Sequence, residues 1–147
     1  MKKALNFVVA ALLIFIPIST KTMPPKCVKA PLEHTAGAAG ISPDLTAQYS
    51  TINFKYFQGT LPQISVVLSN QHSTDMGVTL PLPNKSFVII IFSRWAVAPV
   101  TQTETLMHEM CHVDMEVKGI HEFNVHGPHW QNCMLNLAKE GAFHDVW

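Results

Sequence analysis

The segment TQTETLMHEMCHVDMEVKG, residues 101–119, carries the strongest structural and chemical signal in the chain. Its apolar residues recur at intervals of three and four, which predicts an amphipathic helix. Thr101 and Glu104 have the spacing of a capping box at the start of the segment, and Gly119 follows as a natural helix end. We therefore predict one helix over about residues 102–118.

The predicted helix contains the motif His108-Glu109-x-x-His112. Residues four apart on an α-helix differ by only about 40° in azimuth, so both imidazoles can reach one metal ion from the same face. Glu109 projects about 100° away from His108, where its carboxylate can take a proton from a water molecule on that ion. The motif thus predicts a Zn²⁺ site for peptide-bond hydrolysis, with the two histidines as ligands and Glu109 as the general base.

A catalytic zinc ion usually takes three protein ligands, so a third donor must come from another part of the chain. Four histidines follow the motif: His121, His126, His129 and His144. Helix geometry counts against Glu116, which is two turns from the first motif histidine, while Glu122 is a further possible donor. His126 stands just before a predicted helix and can fold back onto the motif helix. Spacing alone favours it and leaves His121 and His129 as alternatives.

The remaining pattern predicts a small α+β domain. Ser42 caps a helix that has proline in its first turn, and Pro128 begins a last helix that should end by Gly141. Three β-branched or apolar runs are typical of strands: Ile64 to Leu68, Val78 to Leu82 and Phe87 to Phe92. Pro81 in the second run means that this strand lies at an edge of the sheet or that the proline stands at the end of the strand. We expect an N-terminal helix, a short, mostly antiparallel sheet, the HExxH helix and a C-terminal helix, as in a zincin-like domain.

Three segments together resemble the SprT-like zinc metalloprotease domain family, over about residues 43–138. They are Tyr56-Phe57-Gln58-Gly59-Thr60-Leu61-Pro62, the HExxH motif, and His126-Gly127-Pro128-His129-Trp130. In that family an HGxxF/W-like element supplies the third histidine. The resemblance therefore implies that His108, His112 and His126 hold zinc, that Glu109 is the catalytic base, and that the substrate is a protein or peptide.

The N-terminus has the pattern of an export signal. Two lysines precede an apolar run, Ala4 to Ile18, which is short for a membrane-spanning helix. We expect residues 1–20 to be a signal peptide or an uncleaved anchor, residues 21–41 a linker, and residues 42–147 the SprT-like metalloprotease domain. The protein is then secreted or periplasmic, and attached to a membrane only if the N-terminal segment is retained.

Charge and cysteine content limit the partners and the cross-links. Five of the 10 basic residues precede Ala30, whereas all 10 acidic residues lie from Glu33 onward, so the predicted domain is mildly acidic. Because nucleic-acid binding normally needs a basic patch, we expect no nucleic-acid partner. The chain has three cysteines and no CxxC pair. We interpret Cys111 and Cys133 as small core residues and not as a bridge.

Two other functions are compatible with the same residues. One is a zinc-containing binding module without turnover, and the other is an amidase that acts on a non-protein substrate such as a cell-wall crosslink. Asp114 and Glu122 are interpreted as surface acids, with orientation of a ligand histidine as the alternative. Family members with DNA-linked roles commonly carry extra modules, and no cysteine cluster follows this domain, so that role is not expected.

Overall fold

The computed structural model describes residues 39–144, which form an α+β fold with three α-helices and a four-stranded mixed sheet. The strands are β1 (Ala39–Ile41), β2 (Ser65–Ser69), β3 (Gly77–Pro81) and β4 (Phe87–Phe92), and the helices are α1 (Pro43–Tyr56), α2 (Pro99–Val117) and α3 (Pro128–Lys139). A short 3-10 turn, Pro83–Lys85, joins β3 to β4. The predicted fold class is confirmed. The predicted signal segment lies outside the described residues.

The sheet has the order β1-β2-β4-β3. Its two central strands are parallel, with Val66 opposite Ile89, and each edge strand is antiparallel to its neighbour. Strand β3 therefore lies at an edge, as its terminal Pro81 predicts, because proline cannot donate to a further strand. Helix α1 packs against β2, α2 packs against β3 and β4, and α3 packs on α2.

Helix α1 begins where the sequence predicts. The hydroxyl of Ser42 accepts a hydrogen bond from the backbone N–H three residues further on. The buried side chain of Asn53 bonds both the N–H and the C=O of Leu61, at 3.2 and 2.9 Å. The Tyr49 hydroxyl donates to the carbonyl of Pro62 at 2.7 Å. These bonds hold the segment after α1 against the helix, so its backbone polar groups at Leu61 and Pro62 have partners inside the fold.

Two element boundaries differ from the prediction. Helix α2 begins at Pro99, whose ring presets the dihedral angle of a first helical turn. Thr101 thus lies inside the helix, where its carbonyl accepts a bond from the Thr105 hydroxyl, and the predicted capping box with Glu104 is wrong. The end of the helix agrees better, since Gly119 has the positive φ of +67° that terminates helices.

The second difference lies in the predicted linker, whose last three residues form strand β1. Gly40 pairs with Leu68 and Ile41 with Val67 of β2. Alanine and glycine have little tendency to form strands by themselves, so this strand exists because β2 offers a free edge. Within residues 39–144, none of the helices is long and apolar enough to cross a membrane.

Candidate metal centre

Three histidines from two parts of the chain converge at one point. His108 and His112 lie one turn apart on α2, and His126 lies in the loop just before α3. The Nε2 atom of His108 stands 3.3 Å from Nε2 of His112 and 3.1 Å from Nε2 of His126. One donor nitrogen from each ring falls within 4.8 Å of the others. Of the four histidines that follow the motif, the structure therefore brings His126 to it.

The spacing of these nitrogens suits a zinc ion. A tetrahedral centre with Zn–N bonds of about 2.0–2.1 Å separates its ligand nitrogens by about 3.3 Å. The two Nε2–Nε2 distances of 3.1 and 3.3 Å agree with that separation. Three imidazole donors also form the ligand set that some catalytic zinc sites use, with one coordination position left open. The three rings can thus hold a divalent ion such as Zn²⁺.

The surroundings of the rings keep two of them neutral. Burial, together with a smaller contribution from the neighbouring His126, lowers the pKa of His108 to about 4. Burial likewise lowers the pKa of His112 to about 4, with added contributions from the other two rings. At neutral pH both rings are therefore deprotonated, and each keeps the nitrogen lone pair that a metal ion requires.

Glu109, the residue that follows His108 on α2, is buried, with only 4% of its surface exposed. The hydroxyl of Thr79 on β3 donates to Glu109 Oε2 at 2.8 Å, and it also lies 3.1 Å from the Glu109 backbone carbonyl. Gly77, two residues earlier on β3, leaves room for this arrangement. A Cβ at position 77 would stand 3.0 Å from Glu109 Oε1 and 2.7 Å from Thr105 Cγ2.

No sequence pattern predicts this contact between β3 and Glu109. Residues 77 and 79 lie about 30 positions before the motif, and only the packing of α2 across the edge strand brings them together. Gly77 and Thr79 point to the same face because side chains alternate along a strand. A glycine and a threonine two apart on an edge strand form too common a pattern to predict the contact.

The indole of Trp130, in the first turn of α3, packs against all three imidazole rings. Its ring centroid lies 4.6 Å from that of His108, 5.9 Å from that of His112 and 4.4 Å from that of His126. The indole N–H is 3.4 Å from the His108 carbonyl oxygen. Trp130 thus restricts the rotation of the three rings and shields one side of the cluster from solvent.

Both the backbone N–H and the backbone carbonyl of His126 form hydrogen bonds to nearby side chains. Its N–H donates to Oδ1 of Asn124 at 3.1 Å, and its carbonyl accepts from the side-chain amide of Gln131 at 2.9 Å. Proline at position 128 then begins α3, as predicted from the sequence. These local bonds orient the residue that precedes the helix, so His126 presents its ring to α2.

Cys111 and Cys133 form a disulfide bond, so their interpretation as unbridged core residues is wrong. Cys111 lies between the two motif histidines and is fully buried, and Cys133 lies on α3. Their Cα atoms are 5.8 Å apart, well within the range for a bridge. A separation of 22 residues carries no information on pairing. The packing of α3 on α2 decides it, and the resulting ring encloses the whole loop that carries His126.

The other candidate donors lie outside the cluster. His121 is exposed and stands 4.0 Å from Glu116, and Asp114 pairs with a lysine one turn further along α2. His129 is also exposed, and its Nδ1 lies 2.8 Å from Oε1 of Glu122. Neither Asp114 nor Glu122 accepts a bond from a ring of the cluster in the contacts that the structure gives them.

The geometry defines a class of protein: a small α+β domain in which a helical HExxH motif and a loop histidine bring together three imidazoles that could hold a metal ion. The sequence profile of the SprT-like family matches residues 45–145, which is most of the chain. The chain therefore belongs to the SprT-like family. Comparisons with curated proteins and with solved structures give no match.

Proposed function

We propose that the protein is a zinc-dependent peptidase in which His108, His112 and His126 hold the ion and Glu109 is the general base. The observation that carries this proposal is the convergence of three imidazole nitrogens, two of them on the helix that also carries the buried Glu109. Zinc bound by three histidines polarises a substrate carbonyl and lowers the pKa of a coordinated water molecule towards neutrality. Membership of a family with metalloprotease-type domains supports the same function.

The contacts of Glu109 suit its proposed role. Its carboxylate accepts a bond from Thr79 through Oε2, which fixes the orientation of the group relative to α2. A carboxylate held in this way can accept a proton from the attacking water and donate it to the leaving amine, a contribution of about 10²–10⁴ in rate. Thr79 thus positions the base without taking part in the proton transfer.

The exposed edge of β3 offers a place for an extended substrate. In the described part of the chain β3 pairs only with β4, so its other edge can accept an added strand. An extended peptide that pairs with this edge would pass beside Glu109, because Thr79 of the same strand contacts the carboxylate. We therefore expect the enzyme to cleave unfolded chains faster than the same chains in folded form.

The experiment that tests the proposal combines metal analysis with a cleavage assay on the full chain. Purified protein should contain one equivalent of zinc, cleave casein, and lose the activity when a chelator removes the metal. Glu109→Gln should keep the zinc and lose at least about 100-fold in rate. Glu116→Gln is the matched control, because that exposed carboxylate lies on the same helix, with His121 4.0 Å away as its ion-pair partner among residues 39–144.

The outcomes separate the proposal from its two rivals. Zinc without cleavage of any unfolded protein favours a non-catalytic binding module. Cleavage of a non-protein amide but not of casein favours an amidase that uses the same residues. Activity that survives Glu109→Gln without loss refutes the assigned base in every case.

The disulfide supports the proposal that the protein acts outside the cytoplasm. Cys111–Cys133 is a bond that persists in oxidising compartments, and reducing systems of the cytosol oppose it. This agrees with the export-like pattern of residues 1–20, which lie outside the described residues. Expression with the N-terminus intact, followed by mass spectrometry of the extracellular or periplasmic protein, tests both export and cleavage. Retention of the full chain in the cytoplasm would refute the proposal.

A further inference from the structure

The loop between α2 and α3 carries His126 but is poorly anchored by apolar contacts. Its two apolar side chains near the ligand are exposed, with Phe123 at 98% and Val125 at 67% exposure. A loop that buries so little surface gains little from the hydrophobic effect and needs polar contacts to hold one conformation. The proposed third ligand therefore depends on such contacts for its place.

Glu122 supplies a polar contact that spans the loop. Its side chain is only 12% exposed although it lies in a loop. Oε1 accepts a bond from the backbone N–H of His129 at 3.0 Å and lies 2.8 Å from Nδ1 of the same residue. The backbone N–H of His129 is the largest cause that holds the pKa of Glu122 below its usual range. The His129 side chain and the backbone N–H of Trp130 make smaller contributions in the same direction. The carboxylate is thus charged at the positive end of a helix.

Helix α3 needs this external cap because its own N-cap residue is Gly127, which has no side chain to accept a bond. The first N–H groups of a helix have no partner within the helix and are normally capped by the N-cap side chain. Here the cap comes from a residue five positions earlier. The carboxylate therefore ties the start of the loop to the start of the helix, on either side of His126.

Gly127 fits this arrangement for a steric reason. Its φ of −69° and ψ of −172° are open to any residue, so the backbone does not require glycine. A Cβ at this position would instead collide with the carboxyl group of Glu122, standing 2.6 Å from its Cδ. The glycine leaves the space that the carboxylate occupies.

We propose that Glu122 is a positioning residue that fixes His126 at the metal centre by capping α3 across Gly127. The inference rests on the proposed function, since it takes His126 as a zinc ligand. It assigns Glu122 to the helix cap, and not to the orientation of a ligand ring or to the solvated surface. A loop without the cap should sample positions in which the third imidazole is away from the other two.

The first test measures zinc affinity in the full chain by competition with a chromophoric chelator. Glu122→Ala should weaken Zn²⁺ binding by about 10-fold, as expected for loss of a group that orients a ligand. Glu122→Gln should lose less affinity for Zn²⁺, because its amide oxygen can still accept a hydrogen bond from the backbone N–H of His129. Glu116→Ala is the control, since it removes an exposed carboxylate near the same loop without touching α3.

A spectroscopic readout separates positioning from general stability. With Co²⁺ in place of zinc, the visible absorption of Glu122→Ala should change in band position or intensity, because the ligand geometry has changed. The thermal midpoint of each metal-free variant, measured alongside, shows that the protein is folded during the titration. Should Glu122→Ala not fold, Glu122→Gln and the glycine variant below provide the same comparison.

The second test is a double-mutant cycle. Gly127→Ala should weaken zinc binding in the wild-type background, because its Cβ displaces the carboxylate. In the Glu122→Ala background the same substitution should have little further effect, since the colliding group is absent. Gly40→Ala is the control for adding a methyl group, because a Cβ at position 40 meets nothing within 4 Å.

Unchanged zinc affinity and an unchanged Co²⁺ spectrum in Glu122→Ala, with the wild type binding zinc normally, would overturn this inference and leave the proposed function intact. Additive losses from the two substitutions would also overturn it. A wild-type chain that binds no zinc would overturn both the inference and the proposed function.

Discussion

Removal of the Cys111–Cys133 bridge should destabilise the metal-free protein by a calculable amount. The bond joins residues that are 22 positions apart. In the chain-entropy description, a cross-link that closes a ring of that size lowers the entropy of the unfolded chain and so raises its free energy by about 3.4 kcal/mol at room temperature. For a domain of this size such a loss lowers the Tm on the order of 10 °C, and with an m value of ~2 kcal/mol per M it lowers the urea midpoint by ~1.7 M.

The assay is urea unfolding of the double variant Cys111→Ala/Cys133→Ala beside the oxidised and the reduced wild type. A chelator is present throughout, because a bound metal stabilises the folded state and would mask the difference. Cys111 is fully buried, so alanine there also removes packing contacts. The reduced wild type separates the two effects, since it keeps both sulfur atoms and loses only the covalent bond.

Reductant should lower the urea midpoint of the wild type towards that of the double variant and leave the midpoint of the double variant unchanged. Equal midpoints for the oxidised wild type and the double variant would refute the reasoning. So would an equal response of both proteins to reductant, since the variant has no bond between these positions.

Three further outcomes are expected. His126→Ala should weaken zinc binding by at least 10-fold in the chelator competition, and wild-type affinity would exclude it as a ligand. Thr79→Val should lower kcat about 10-fold at unchanged zinc content, because the bond that orients the carboxylate of Glu109, the proposed general base, is lost; an unchanged kcat would remove this role. The stability of the metal-free protein should fall as the pH falls from about 6.5 to about 4. In that window the unfolded chain takes up protons at His108 and His112 that the folded protein does not bind, at ~1.4 kcal/mol per pH unit for each proton. Urea midpoints across the pH range test this, and a flat profile would contradict it.

Much of the fold was predictable because the signals are local. The apolar run of β4, from Phe87 to Phe92, has the predicted boundaries, and Ser42 caps α1 as expected. The HExxH spacing places two imidazoles on one helix face through helix geometry alone. The start of α2 was missed for a local reason as well. Proline at position 99 and the pattern at residues 101–104 both resemble helix starts, and only the hydrogen bonds of the folded helix distinguish them.

The sequence by itself determined the helix that carries the HExxH motif, the imidazoles offered to a proposed metal ion, and the family. The tertiary structure alone decided that Thr79 bonds Glu109, that Cys111 joins Cys133, and that Glu122 caps α3. Helix and strand periodicities arise from backbone geometry within a few residues and can be read along the chain. Contacts across 7 to 30 positions depend on how α2 packs on the sheet and on α3, and no local pattern encodes that packing.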